Sequence, residues 1–413
     1  MYILDKLSSL IWGPPLIVLL LFTGLLFTFR LKGLQLRLPY FLLHRNDSAN
    51  KGLSQFRTVC MSLGAAMGTG NITGVSAAIV IGGAGSLFWM WISAFIGMAT
   101  VYAENYLSVL YSSRNKRGPM AYLEKAVGGR RLACIFAVMC VLAAFGMGGM
   151  IQVSAFAESL RKCVRIPDTV MFFIMCILIY SVVSGGASRI GTAAQALLPA
   201  ASAVYAVLCA AVIIKHHGEF SAMIASVFTQ AFGIRPAAGG ISGYALSKAV
   251  SAGIRRGTFS NEAGLGSSPV LHSAAESDSP HTQGMWSMFE VFFDTMICCT
   301  LTAFTLLSSG QSTVQDAFSF VAGPSSVYIV SVLMAVFAFC TVIGWYYCGE
   351  TAFLYLSGGT RSHILPIVFA VTASAGTLVS VDLVWILADI FNGTMAFPNL
   401  VGLLLLRDKV KRN

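Results

Sequence analysis

Two stretches of small and polar residues interrupt otherwise apolar sequence. The first is Gly68-Thr69-Gly70-Asn71-Ile72-Thr73-Gly74, and the second is Gly233-Ile234-Arg235-Pro236-Ala237-Ala238-Gly239-Gly240. Unwound backbone at membrane depth is tolerated only where it lines a cavity or a ligand. Each interruption frees N–H groups at one half-helix start and C=O groups at the other half-helix end. The N–H ends suit a carboxylate, and the C=O ends suit a cation or an ammonium group. An amino acid zwitterion together with a sodium ion fits both. Candidate binding residues are therefore Gly68, Thr69, Gly70 and Asn71 in the first interruption and Gly239 and Gly240 in the second. Gln152 adds a polar group in mid-span, and Thr341 and Trp345 lie four apart on one face of a later span. Scattered glycines such as Gly146, Gly148 and Gly149 read better as close-packing residues.

The elements that hold these residues must be membrane helices. Of 413 residues, 56% are hydrophobic and 11% charged, with mean hydropathy +0.76. A soluble domain carries roughly 25% charged residues. Runs such as Trp12 to Phe29 and Leu132 to Ala157 hold no charge and approach or exceed the ~20 residues that cross a bilayer core. The first run is long and lacks a small-residue cleavage site, so it reads as a retained span. The pattern predicts eleven spans: 10–29, 53–81, 85–111, 131–159, 169–184, 190–214, 219–256, 283–307, 326–350, 364–379 and 383–406. The second and seventh are the interrupted ones. With span 10–29 set aside, the breaks fall in the first helix of each group of five, residues 53–214 and 219–406. Paired interruptions at matching positions point to a transporter binding site. The halves share no clear residue-level similarity, so the repeat rests on pattern alone.

The net charge of +10 sorts by position. Basic residues cluster at 30–57, at 114–131 and in the tail 407–412, with Arg189, Arg255, Arg256 and Arg361 assigned to the same side. Few remain on the other. This is the positive-inside pattern, with an external amino terminus, a cytoplasmic carboxyl terminus and a bacterial inner-membrane location. It explains the charge by orientation and lipid contact rather than nucleic acid. The ten cysteines lack a CxxC or metal-type spacing and read as packing residues. His216-His217 reads as a loop pair, and Gly82 to Gly85 as a turn between spans. No nucleophile–base set, HExxH, GxSxG or Walker loop is present, which argues against an enzyme.

Four stretches resemble the sodium:alanine symporter family, also called alanine or glycine:cation symporters. They are Gly68 to Glu104 (GTGNITGVSAAIVIGGAGSLFWMWISAFIGMATVYAE), Gly253 to Pro269 (GIRRGTFSNEAGLGSSP), Phe337 to Glu350 (FAFCTVIGWYYCGE) and Val384 to Leu404 (VWILADIFNGTMAFPNLVGLL). The resemblance implies an all-α polytopic fold of the leucine-transporter type, with two inverted five-helix repeats and one extra amino-terminal helix. It implies import of alanine, glycine or a similar small amino acid with Na⁺, or alternatively H⁺, by alternating access. It further implies that Ala66, Gly68 and Gly70 offer backbone to the substrate beside Thr69 and Asn71, and that Gln152 and Trp345 shape the pocket. A coupling Na⁺ would sit between the carbonyls of Gly64 and Met67 and the span that carries Cys340 and Thr341. Partners beyond the amino acid and lipid are not called for.

The chain departs from the family in places. Cys340-Thr341 stands where the family has Ser-Thr, and thiols are poor ligands for hard cations. Gly149 and Ser154 stand where asparagines are usual, and the segment before residue 326 is short. The FSNEAG stretch, Phe259 to Gly264, admits two placements. It either starts an internal loop helix, with Arg255 and Arg256 marking the inner surface, or is itself the second break; the first is the expectation. A sensor on the same fold, binding without flux, is the alternative function.

Overall fold

The computed structural model describes residues 2–44, 52–113, 116–126, 129–233, 241–277, 279–379 and 381–412. Among these, twenty α-helices carry nearly all the structure, and the β content is one isolated bridge, Ser113 to Lys116. Helix is what apolar runs must form in lipid, because it satisfies every backbone group within its own segment.

The chain begins with α1 (Tyr2–Ile11) and α2 (Pro14–Arg30), and α2 is followed at a 61° bend by α3 (Leu38–Leu43). Ser54 caps the next helix, α4 (Gln55–Ala66), by accepting from the Arg57 N–H. The chain then unwinds, makes a wide π-helical turn over Gly70–Gly74, and continues as α5 (Val75–Gly82) at 51° to α4. Next come α6 (Gly85–Leu110), the short α7 (Pro119–Leu123) and α8 (Arg130–Ala143). A second π-helical stretch, Ala144–Ile151, leads from α8 into α9 (Gln152–Arg161). After α10 (Asp168–Val183), α11 (Gly186–Lys215) and α12 (Phe220–Ala231), α13 (Ile241–Asn261) ends in a second unwound stretch before α14 (Ser267–His272). A third π-helical stretch, Phe292–Cys299, joins α15 (Pro280–Val291) to α16 (Thr300–Ser309). The rest is α17 (Val314–Ala322), the long α18 (Ser326–Leu356), α19 (Leu365–Ser374) and α20 (Val381–Leu405).

By length and composition six helical segments can cross a membrane, or eight if each bent pair counts as one span. The α10 helix and the α19 region are apolar but shorter. The expected count of eleven differs most at the seventh span. There the twelve-residue α12 is a separate helix, and the predicted break with Gly239 and Gly240 lies outside the described residues. The described break of this region falls later, at residues 262–266. Glu262 takes φ 53°, Gly264 88° and Gly266 86°, left-handed values that end α13. The FSNEAG stretch is thus the end of α13 and the start of the unwound segment, not the start of a loop helix.

The two broken helices pack half against half. α13 lies on α5 and α6, while α14 lies on α4. The long α18 runs past α4, α8, α9 and α11 and closes the core around Trp345 and Tyr346.

Candidate functional site

The first break opens with a tight turn in which the Gly68 N–H donates to the Ala66 carbonyl at 2.8 Å. Close approach explains why residue 68 is glycine. A Cβ there would lie 3.0 Å from Thr341 Oγ1 and 3.1 Å from Gln152 Oε1. Thr69 then starts the π-helical turn and accepts at its carbonyl from Thr73 N and Thr73 Oγ1. The Thr69 hydroxyl lies 3.5 Å from Gln152 Oε1. Gln152 is presented by the π-helical stretch that precedes it, since a π-bulge rotates the residues that follow it relative to a continuous α-helix.

These residues border a cavity of about 320 Å³, near the small end of the ~300–1,000 Å³ common for ligand pockets. Thr69, Gly70, Thr73, Gly74, Ala77 and Gln152 line one part, and Arg255, Arg256, Phe259, Trp385 and Asp389 the other. The start of a half-helix has N–H groups without intrahelical partners, so Thr69 and Gly70 aim positive partial charge at the cavity. Arg255 Nη2 lies 3.6 Å from Asp389 Oδ2, with both side chains partly exposed. The Phe259 and Trp385 rings lie beside this pair, 6.4 Å apart. The cavity is therefore reached from the α5–α13 side. Arg255 and Arg256, expected at the inner surface, lie on α13, which continues helical to Asn261, and both line this cavity.

On the α4 side, packing is tight. A Cβ on Gly64 would lie 3.2 Å from Cβ of Cys340, and one on Gly344 would lie 2.7 Å from Cβ of Ala65. Thr341 Oγ1 lies 2.9 Å from the Gly64 carbonyl and 3.1 Å from that of Phe337. Gly64, Gly68, Cys340 and Thr341 are thus together where α4 crosses α18. The Met67 N–H bonds to Leu63 O at 2.7 Å, and its side chain packs in the apolar cluster with Leu198 and Cys340.

Two expected pocket residues point elsewhere. Trp345 is fully buried with its Cβ where a Cβ of Gly148 would be, and it does not line the cavity. Gly148 is thus a packing glycine that makes room for the indole. Asn71 turns to the opposite side of the break. Its Nδ2 donates to Asp294 Oδ1 at 2.7 Å and its Oδ1 lies 3.0 Å from Ser260 Oγ. Its carbonyl accepts from Thr302 Oγ1 at 2.9 Å, and Tyr205 OH lies 2.6 Å from that hydroxyl.

The comparisons with known proteins bear on this geometry. The family model described as "Sodium:alanine symporter family" matches residues 1–413. The chain belongs to the sodium:alanine symporter family. Its relatives include the sodium/alanine symporter AgcS of Methanococcus maripaludis, 36% identical over 98% of this chain and 94% of that protein. An uncharacterized transporter of Haemophilus influenzae is 40% identical over 98% of this chain and 93% of its own length. The probable sodium/glutamine symporter GlnT of Bacillus subtilis is 34% identical over 98% and 88%. Among solved structures, a manganese transporter of Eremococcus coleocola matches at TM-score 0.57 and 13% identity, covering 85% of this chain and 79% of that one. That likeness concerns the fold. As a member of this family the chain is a membrane transporter of the sodium/amino-acid symporter class, not an enzyme.

Sequence reasoning left Asp294 and Ser260 without a role, and both meet Asn71. Asp294 lies within an apolar run, and intramembrane acids are rare and tend to be functional. That signal was present, but its partners were hidden because they lie 223 and 34 residues away in sequence. The same holds for Glu104, which pairs with Asn399, itself bonded to the Gly264 carbonyl at 2.9 Å.

Proposed function

We propose that the protein imports alanine, glycine or a similarly small neutral amino acid together with Na⁺ by alternating access. The observation that carries this reading is the meeting of the first break, Gln152 and α13 around one small cavity. The half-helix start at Thr69 and Gly70 receives the substrate carboxylate. Arg255 and Arg256 place positive charge at the entrance, where it orients the carboxylate end of the zwitterion. Gln152 and Thr69 supply hydrogen bonds, and Ala77, Phe259 and Trp385 leave room for a short apolar side chain. Gly64 O and Thr341 Oγ1 offer oxygen to the coupling Na⁺ on the closed side of the break.

The end that carries α4 and α14 is assigned to the cytoplasm. Arg117 pairs there with Glu276, beyond the end of α14, and Arg30 pairs with Asp408 of the basic tail. The amino terminus lies at the opposite end, where Trp12 Nε1 donates to the Asp389 carbonyl at 2.8 Å. The two broken helices, each with its halves facing those of the other, support the inverted-repeat reading.

The test is uptake of labelled alanine, glycine, serine and glutamine into proteoliposomes, with inward Na⁺ or choline gradients. Na⁺-driven uptake of alanine or glycine is expected. Saturable binding without accumulation under either a Na⁺ or an H⁺ gradient would refute the symporter reading. Preference for glutamine would instead revise the substrate.

A further inference from the structure

Several glycines hold their places by close packing. A Cβ on Gly82 would lie 2.3 Å from Ser86 Oγ, one on Gly253 2.4 Å from the Ser86 carbonyl, and one on Gly24 2.2 Å from an Ile96 methyl. Small residues let membrane helices approach in this way. Others are required by the backbone. Gly186, Gly310, Gly323 and Gly358 meet no atom within 4 Å but take φ between 56° and 71°, where glycine is the default residue.

Gly70 and Gly74 fit neither class. A Cβ on either would meet no atom within 4 Å, and neither has positive φ. Gly74 has φ −66° and ψ −41°, ordinary helical values. It is buried, so the space above it lies inside the protein. Gly218 also has open space and no positive φ, but it lies exposed in the turn between α11 and α12. Glycine in a helix is destabilising relative to alanine. At residue 74 neither the backbone nor a neighbour requires it, so the remaining reason is the space itself.

That space belongs to the cavity at the first break, which Gly70 and Gly74 line together with Thr69, Thr73 and Ala77. Gly70 lies at the half-helix start assigned above to the substrate carboxylate. Gly74 follows four residues on, about one turn farther along the helix. Between them the Thr73 hydroxyl is turned back to the Thr69 carbonyl, to which it donates at 2.8 Å. The wall from Gly70 to Gly74 is therefore bare where a substrate side chain would run.

We propose that Gly74 sets the length of side chain the carrier accepts. Its bare surface admits side chains longer than the methyl of alanine, those of the small hydroxylated amino acids serine and threonine. The proposal rests on the substrate site read above at the first break and names a wider substrate class for it. Failure of the gauge and failure of the symporter reading give different results in the experiment below.

The experiment is Na⁺-driven uptake of labelled glycine into proteoliposomes, with unlabelled alanine, serine and threonine as competitors. The same competition is run for equilibrium binding of labelled glycine to the purified carrier in Na⁺. Wild-type carrier is expected to be inhibited by all three. In Gly74→Ala the apparent affinity for glycine should stay within about twofold, while that for serine and threonine should fall ~10-fold or more, the discrimination that one methylene in a pocket commonly carries. Gly74→Val should extend the loss to alanine. The melting midpoint of Gly74→Ala should equal or exceed that of the wild type, because alanine favours the helix and its methyl enters open space. A lower midpoint would show that the added methyl strikes structure and would overturn the proposal. So would a wild type that excludes serine and threonine, or a competition order unchanged in both variants. An equal fall in maximal velocity for every substrate, with affinities unchanged, would mark residue 74 as a hinge and overturn it too. Absence of Na⁺-gradient-driven uptake by the wild type, with the binding competition as expected, would refute symport and leave the gauge standing.

Discussion

The two unwound segments solve the same problem in opposite ways. At Thr69 and Gly70 the first break borders a cavity, beside the Gln152 amide and next to the close-packed Gly68. Around 262–266 the backbone is enclosed by protein. Residues 261–270 are all buried, and several of their polar groups are met by side chains. Asn261 Oδ1 accepts from Ala263 N at 3.1 Å, Asn399 Nδ2 donates to Gly264 O at 2.9 Å, and Ser267 donates to the Glu262 carboxylate. Gly264 is closed in by Leu20 and Leu400. Interrupted membrane helices therefore need a partner for their backbone, but that partner can be a ligand or the protein itself. The first break borders a cavity, as the proposed function requires of a solute site, and the second is closed by protein.

Substitutions at the two breaks should separate transport from stability, and glycine changes give the largest expected effect. Gly68→Val puts methyl groups into the space shared by Thr341 Oγ1 and Gln152. We expect at least a ~100-fold loss of uptake, with a stability cost of only ~1–3 kcal/mol for overpacking. Gly264→Ala strains a residue at φ 88° and forces its Cβ to within 2.4 Å of a Leu20 methyl. It should cost ~2–5 kcal/mol of stability from strain and overpacking together, while uptake per folded molecule keeps its KM within about twofold, as expected of a change that removes no ligand contact. Uptake assays normalised to the monodisperse fraction, with thermal melts, check both. Equal losses of KM in the two variants would erase the distinction.

A second pair sharpens it with smaller effects. Asn399→Ala leaves the Gly264 carbonyl and the Glu104 carboxylate without their shared donor, and Tyr122 without its acceptor. Unsatisfied buried groups cost ~1–3 kcal/mol each, so the melting midpoint should fall by several degrees. Gln152→Ala removes a hydrogen-bonding group from the cavity wall and should raise KM ~10-fold, about 1.4 kcal/mol. Its melting temperature should stay near that of the wild type, because the lost amide borders the cavity and makes only a long contact, 3.5 Å, with the Thr69 hydroxyl.

How much of this could be read from the sequence follows from which forces are local. The membrane class and the first break were legible, because hydropathy and a run of glycines are properties of neighbouring residues. The second break was expected at Gly233 to Gly240, where glycine and proline are dense. The break at 262–266 is set by left-handed turns at Glu262, Gly264 and Gly266, and while its anchors Asn261 and Ser267 flank it in sequence, Asn399 lies 135 residues from Gly264. The depth of Arg255 and Arg256 was not legible, because it depends on where α13 stops. Trp345 and Asn71 were expected to face the pocket, but rotation around a helix is fixed by contacts such as Gly148 against Trp345, which no spacing rule encodes. The three π-helical stretches, which present or adjoin Asn71, Gln152 and Asp294, left no mark in the residue pattern at all.

The smallest expected effect tests the entrance rather than the breaks. Arg255 and Asp389 are both partly exposed at 3.6 Å, so the pair itself contributes little, ~1 kcal/mol or less. The positive charge matters more for orienting the carboxylate end of the net-neutral zwitterion in a narrow mouth, where steering acts on rates. Arg255→Gln should therefore lower initial uptake at subsaturating alanine about two- to threefold, with maximal velocity unchanged. Because screening at ~0.15 M salt reaches only ~8 Å, the wild type should lose the same advantage as choline chloride is raised at constant Na⁺, and the variant should respond little. If the variant kept the full salt sensitivity of the wild type, attraction of substrate would have to come from the half-helix start at Thr69 and Gly70 alone, and the division between an attracting entrance and a binding break would disappear.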